Sequence, residues 1–323
     1  MPTEDARAFW IAAPGRGEIR AERLRARGAD EVVVRTRYSG VSRGTESLVF
    51  EGRVPASERQ RMRAPFQAGE FPAPVKYGYA CVGEVDEGPA DLVGRTVFVL
   101  HPHQTRFVVP AAAAHVVPAD VPAARAVLAA NLETAINAVW DGGVQVGDRV
   151  TVVGAGAVGC LVARVASRIA GCDVELVDVN TARADIARAL GVRFAQPDAA
   201  SIERDVVMHA SATEEGLRTS LRVAGFASTI VELSWYGDRI VTVPLGEAFH
   251  ARRLTLKSSQ VGHVAASHGA RWDHRRRLAL ALSLLADASF DALITGESDF
   301  ESLPETMAAL AAGDALCHRI RYV

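Results

Sequence analysis

The rhythm of hydrophobic and polar positions changes near residue 122. Before it, apolar residues come in short blocks broken by Gly and Pro: "EVVVRTRYSGV", "CVGEVDEG" and "RTVFVLHPHQTRFVVP". Such blocks predict short strands. A charged stretch, "SERQRMRAPFQAGEFP", reads as a loop or short helix among them. Closely spaced strands with little helix imply a folded-over barrel or partly open sheet. After residue 122, "PAARAVLAANLETAINAVWDGG" has apolar residues at helical spacing and a glycine stop. Then strands ("RVTVVGAG", "DVELVDVN", "VRFAQ", "DVVMHAS", "ASTIVELSWYG", "LTLKSSQVG") alternate with helices ("AVGCLVARVASRIAG", "TARADIARALG", "TEEGLRTSLRVAG"). Several of these strands are apolar throughout, the pattern of a parallel sheet covered on both faces. The tail returns to helix and closes on the strand "CHRIRYV". The predicted fold is α/β: a doubly wound parallel sheet plus a β-rich domain. The expected domains are 1–123 (β-rich), 124–264 (doubly wound) and 265–323 (return).

Composition narrows the function classes. The 323 residues are 49% apolar and 23% charged, as in globular proteins that fold in water. A net charge of −2 offers no electrostatic pull toward nucleic acid or an anionic membrane. The N-terminal "MPTEDARAFW" lacks the apolar core of a secretory signal, and the longest apolar stretch is glycine-rich and broken by Arg164. A cytoplasmic location and a small-molecule substrate are expected. Cys81, Cys160, Cys172 and Cys317 form no CxxC pair and read as small buried hydrophobes. His101 and His103, in "LHPHQ", could in principle hold a metal from a strand; a solvated loop is the expected reading.

One motif carries specific chemistry. Gly154, Gly156 and Gly159 in "VTVVGAGAVG" have G-x-G-x-x-G spacing, between an apolar strand and an amphipathic helix. The first glycine permits the turn, the second lets backbone approach a pyrophosphate, and the third lets helix pack on strand. Ala157 and Val158 open the helix, whose N–H groups would face the phosphates. Asp178 ends the next strand, 24 positions after Gly154, where a carboxylate accepts from a ribose hydroxyl. It would repel a 2′-phosphate, so NAD(H) is expected over NADP(H). Val179 and Arg183 follow it beside the adenosine, with a solvated Arg183 as the alternative. Ser211, Leu233, Ser258, Ser259 and Gln260 follow later strands and are expected to line the groove.

The order of parts, with "YSGVSRGTE", "KYGYACVGEV", "LETAINAV", "VQVGDRVTVVGAGAVG" and "VDVNTARADIARALG", resembles the medium-chain dehydrogenase/reductase family over nearly the whole chain. "SGVSRGTES" is most similar to the bacteriochlorophyllide a dehydrogenase-like branch. The resemblance implies a GroES-like catalytic domain, a Rossmann domain, and a dimer or tetramer joined through the Rossmann sheet, with "ASTIVELSWYGDRIVTVPL" as a candidate edge. It also exposes a departure. Where zinc-dependent members place Cys, Gly-His-Glu and a third Cys or Glu, this chain has Ser42, Gly78-Tyr79-Ala80 and Ala130. The resemblance therefore implies a zinc-free member, with Arg43 against the pyrophosphate and Thr134 beside the nicotinamide. The family's relay hydroxyl falls on Gly44, leaving Thr45 and Glu46 nearest.

The reaction expected is hydride transfer between a nicotinamide and a secondary alcohol or ketone, with Ser42, Thr45 and Tyr79 as donors to the substrate oxygen. Glu46 and Glu133 are candidate bases, each also readable as a structural acid. Reduction of a quinone or enoyl C=C bond, and dinucleotide sensing without turnover, stand as alternatives. The insert 57–71 with Trp235, Trp272 and His274 could shape a pocket for a large or anionic substrate; surface solubility explains the arginines equally well.

Overall fold

A computed structural model describes residues 5–323. In chain order the strands are β1 (Asp5–Ala13), β2 (Arg16–Arg23), β3 (Glu31–Ser42), β4 (Ala68–Gly69), β5 (Val75–Lys76), β6 (Cys81–Glu87), β7 (Thr96–Val99), β8 (Arg106–Pro110), β9 (His115–Val116), β10 (Arg149–Val153), β11 (Asp173–Val177), β12 (Arg193–Ala195), β13 (Arg204–His209), β14 (Ala224–Glu232), β15 (Thr255–Ser258), β16 (Ile294–Asp299) and β17 (Cys317–Arg321). The helices are α1 (Arg43–Phe50), α2 (Ala123–Ala126), α3 (Ala129–Gly142), α4 (Ala157–Ser167), α5 (Arg183–Ala189), α6 (Glu214–Val223), α7 (His274–Leu284) and α8 (Leu303–Ala312). They form two compact units. One holds the chain up to Ala130 with Leu282–Asp287 and Ile294–Val323; the other holds Asn131–Ala281 with Ala288–Leu293.

The first unit is β-rich, with sheets β2-β1-β5-β4 and β16-β17-β3-β6-β7-β9, β8 also pairing with β3. Its core is built from β-branched and aromatic side chains, among them Val32, Val34, Val97, Val99, Phe107 and Val109. These residue types fit a pleated, covered surface. β1 and β2 pair antiparallel from Asp5↔Arg23 to Ala13↔Arg16. The chain's last strand, β17, lies antiparallel on β3 with Ile320 opposite Ser39 and Cys317 opposite Ser42. That pairing places the start of β17 at the end of β3, where α1 begins, and runs the C-terminus back beside Arg37 in the middle of β3.

The second unit is a six-stranded sheet in the order β12-β11-β10-β13-β14-β15, every neighbouring pair parallel. This is the doubly wound 3-2-1-4-5-6 arrangement, whose ligands bind at the carboxyl ends of the strands. α4 and α6 pack on β10, so Val150, Thr151, Val152 and Val153 are all buried. Coverage of both strand faces explains why β10 reads as a continuous apolar run. β14 is paired on both sides, and the edge on that flank is β15, exposed along its whole length. The sequence expectation of an edge in "ASTIVELSWYGDRIVTVPL" is therefore wrong. A strand's own apolar pattern does not say which crossover will cover its flank.

Candidate active site

At the end of β10 the chain turns through Gly154 at φ +105°, and a Cβ there would lie 2.6 Å from the Ser211 nitrogen. A Cβ on Gly159 would lie 1.9 Å from the Gly154 carbonyl oxygen, so helix and strand touch through their backbones. Gly156 differs: a Cβ would meet nothing within 4 Å. It is the N-cap of α4 and provides no side-chain cap. Gly156, Ala157 and Val158 are partly exposed, whereas Gly154, Ala155 and Gly159 are buried. An uncapped helix start behind an open glycine suits an anionic group. Asp178 follows β11 directly. Its Oδ2 accepts from the Ala155 N–H at 2.6 Å and its Oδ1 from the Asn180 N–H at 2.8 Å. The carboxylate thus fixes the glycine loop as well as ending the strand. Val179 is 76% exposed, and Arg183 opens α5.

The later loops reach the same end of the sheet. Leu233 follows β14, and its N–H donates to the His209 carbonyl at 2.9 Å. Ser258 ends β15; the Ser259 hydroxyl donates to Asp141 at 2.8 Å, and Gln260 accepts from the Gly262 N–H at 2.7 Å. Ser211 plays another part than the sequence implies. Its backbone abuts Gly154, but its hydroxyl meets His209 Nε2 at 2.6 Å and Thr213 Oγ1 at 3.0 Å. A Cβ on Gly216 would collide with that oxygen, so the hydroxyl points at α6. His209 is fully buried, and its Nδ1 lies 2.7 Å from Glu232. Burial pushes the Glu232 carboxyl up, but the His209 hydrogen bond and charge, together with Ser234, bring it below the usual range. This chain of groups ties β13, β14 and the start of α6 together.

In the β-rich unit, β3 runs into α1 at Ser42. The Ser42 N–H donates to Glu46 Oε1 at 2.8 Å, so Glu46 turns back onto the start of its own helix. Tyr79 lies between β5 and β6. Burial, then the charge of Glu46, hold its phenol well above the ordinary value, against hydrogen bonds with the Ser42 and Thr45 side chains that act to lower it. The structure therefore brings Ser42, Thr45, Glu46 and Tyr79 into one cluster, with Tyr77 edge-on to Tyr79 at 5.9 Å.

His103, expected in a solvated loop, is 1% exposed. Its Nε2 lies 2.8 Å from Glu46 Oε2 and its Nδ1 2.7 Å from Ser39 Oγ, which is 2.9 Å from the Tyr322 hydroxyl. Gly78, at φ +125°, leaves the room: a Cβ there would lie 2.8 Å from His103 Cδ2. His101 is buried too, stacked on Phe107 at 3.7 Å with Phe66 of the 57–71 insert at 5.6 Å. Its Nδ1 donates to the Pro102 carbonyl at 2.9 Å. Burial pushes its pKa down to about 3, against about 6.5 for a solvated imidazole. Between those values the unfolded chain binds the extra proton, so stability falls as pH drops from about 6.5 toward 3. The loss is at most about 5 kcal/mol. Thermal melts across this window should show the fall, and His101→Phe should flatten it.

Comparison with known proteins places these sites in context. The family model for ketopantoate reductase PanE/ApbA matches residues 150–221, from β10 to α6. D-guloside 3-dehydrogenase of Escherichia coli (strain K12) is 24% identical over 312 residues, covering 88% of this chain and 87% of that protein. L-Idonate 5-dehydrogenase from Escherichia coli superposes with a TM-score of 0.81 at 15% identity, covering 98% of each chain. The 2R,3R-butanediol dehydrogenase of Bacillus subtilis gives 0.76 at 17% identity, covering 98% of this chain and 99% of the other. The fold is that of these dehydrogenases.

The remaining expected residues lie in both units. Ala130, at the third position where zinc-dependent members carry a ligand, is a buried residue of α3. Among the described residues no group of three or more His, Cys, Asp or Glu is placed to hold a metal ion. Thr134 lies partly buried on α3. Glu133 does not stand as a free base: its Oε1 is 3.0 Å from Arg277 Nε, both side chains buried. Burial raises its pKa while Arg277 works against the shift. A pair so enclosed is structural, since removing either partner strands a charge. Arg43 donates to the Gly313 carbonyl at 2.7 Å. Trp272 packs on Trp140 at 4.8 Å with Arg276 over its ring, Trp235 is partly buried, and His274 contacts the Gly262 carbonyl at 3.0 Å. Cys81, Cys160 and Cys317 are buried, but Cys172 is only partly so.

Proposed function

We propose that the protein is a zinc-independent, NAD(H)-dependent oxidoreductase that interconverts a secondary alcohol and a ketone. The observation that carries this is the loop Gly154–Gly159: two glycines are filled by backbone, and Gly156 stands open at an uncapped helix start. The names of the similar proteins, dehydrogenases of a guloside, of idonate and of a butanediol, support the same reaction class. The bound nicotinamide supplies or accepts the hydride. The chain's own residues do the rest. The α4 N-terminus and Gly156 would hold the pyrophosphate, and Asp178 the adenosine ribose, its remaining lone pairs free to accept from a hydroxyl.

Ser42, Thr45 and Tyr79 stand where a metal centre would otherwise polarise the substrate oxygen. A phenol held above its ordinary pKa stays protonated at neutral pH and so donates. Three hydroxyl groups in one cluster can stabilise a developing alkoxide without metal. The substrate is a small molecule. No helix among the described residues is long and apolar enough to cross a membrane. The net charge of −2 supports reading the protein as a cytoplasmic enzyme that engages neither an anionic membrane nor nucleic acid. The exposed edge strand β15 is the place for assembly into a dimer or tetramer.

The cofactor assignment has its own test. NADH should bind more tightly than NADPH in a fluorescence titration. Asp178→Ser should narrow the gap by about 1–3 kcal/mol, the cost of a lost charged hydrogen bond. A wild type that prefers NADPH contradicts the role given to Asp178.

A further inference from the structure

We propose that Glu46 is the proton acceptor of the hydroxyl cluster and that His103 is the positioning residue that holds its carboxylate. The proposal rests on the oxidoreductase reading above and adds the base that reading lacks. Alcohol oxidation releases a proton from the substrate oxygen. Tyr79, still protonated at neutral pH, cannot take it without giving up its own proton, and the Ser42 and Thr45 hydroxyls are no better as bases. The carboxylate beside them is Glu46, 2% exposed, whose charge reaches Tyr79. The Gly78 backbone, next to Tyr79, lies against the His103 ring, so the phenol, the imidazole and the carboxylate are close neighbours.

The geometry gives the network a complete hydrogen-bonding state. A 2.8 Å contact between an imidazole nitrogen and a carboxylate oxygen must contain a proton. With Nε2 donating to Glu46, Ser39 donates to Nδ1 and Tyr322 donates to Ser39, so all three side chains are paired. Reversing the network takes the Ser39 acceptor away from the Tyr322 O–H, so the paired arrangement is the one in which Nε2 donates to Glu46. The titratable groups around the pair are Tyr77, Tyr79, Cys81, Cys317 and Tyr322 facing Glu46, and His101 and Lys76 on the His103 side. Burial holds the two thiols and three phenols protonated. Glu46 is the carboxylate of this cluster.

The substrate C–H bond breaks, and its electron pair leaves as hydride to the oxidised dinucleotide. The substrate O–H proton passes to the Tyr79 oxygen while the Tyr79 proton moves through the Thr45 hydroxyl to Glu46. The alcohol becomes a ketone, and Glu46 becomes a carboxylic acid that later returns its proton to solvent.

Glu46 also accepts the Ser42 N–H, so a purely structural role as a helix cap must be separated. Glu46→Gln does this. Its amide oxygen still accepts from Ser42, and its NH₂ donates to His103 Nε2 once the network reverses at the loss of the Tyr322 donation to Ser39, so the fold is kept. His103→Gln likewise keeps a donor to Glu46 but cannot titrate. The wild type and both variants are compared with NAD+ and a panel of secondary alcohols headed by L-idonate and 2R,3R-butanediol, across pH. NADH affinity is measured on the same proteins.

In Glu46→Gln, turnover should fall by about 10²-fold or more, with NADH affinity within about twofold of wild type. The acid limb of its kcat/KM profile should vanish. His103→Gln should keep the acid limb, displaced. Glu46→Gln turnover within about twofold of wild type, or an acid limb that persists in Glu46→Gln, overturns the proposal. A wild type that binds NADH yet oxidises no alcohol defeats the oxidoreductase reading and takes the proposal with it.

Discussion

Gly156→Val is expected to abolish NADH binding while leaving the melting temperature unchanged. Gly156 sits at φ −74° and ψ 178°, a conformation open to any L-residue. A Cβ there meets no atom within 4 Å, so the fold does not resist the branch point of the added side chain. The same volume is where phosphate oxygens must approach the N–H groups at the start of α4. A branched side chain in that space should weaken NADH by at least about 10²-fold, equivalent to about 2.7 kcal/mol. Gly159→Ala makes the contrast: its Cβ would lie 1.9 Å from the Gly154 oxygen, so it should lower the melting temperature as well. Fluorescence titration of both variants beside thermal melts separates a binding surface from a packing contact. NADH affinity in Gly156→Val within about twofold of wild type would remove the pyrophosphate from this loop.

The second large effect is expected at Tyr79. Tyr79→Phe removes one hydroxyl from the Ser42, Thr45 and Tyr79 cluster and keeps the ring that packs edge-on against Tyr77 at 5.9 Å. Turnover should fall on the order of 10²-fold, as when one donor to a developing oxyanion is lost. NADH affinity and the melting temperature should stay near wild type, because the ring's packing is retained. A pure filler of this volume could as well be Phe, which needs no hydrogen-bond partner. Turnover within about twofold of wild type reassigns Tyr79 to packing and moves the search to Ser42 and Thr45.

What the sequence shows and hides follows from how far apart the partners lie. The glycine loop and Asp178 are readable because strand, turn and helix are contiguous, and each glycine answers a local steric demand. The 3-2-1-4-5-6 sheet is readable in class from the alternation of apolar runs and helical spacing. Its edge is not, because the crossovers decide which strand is left uncovered: β14 is more apolar than β15, yet it is interior. β1 and β2 are not legible as strands, since "RAFWIAA" and "GEIRAER" lack the β-branched runs and regular alternation that mark β3 and β10.

His103 is the instructive miss. Its partners Glu46 and Ser39 come from α1 and β3, and Ser39 in turn meets Tyr322, 283 positions away at the C-terminal end of the chain. A histidine between prolines and polar residues reads as solvated unless β17 is known to close over β3. Glycine at position 78 is the clue the sequence holds, since the "YGY" stretch needs a glycine where the backbone turns to φ +125° or something packs against it, and here both hold.

The most direct test of the central claim is turnover by the chelator-treated protein. Purified enzyme, incubated with NAD+, a strong zinc chelator and the panel of secondary alcohols, is followed by nicotinamide absorbance. The account predicts NADH formation with at least one alcohol, at the same rate with and without chelator, and loss of that activity in Gly156→Val. Activity abolished by the chelator and restored by zinc would contradict it.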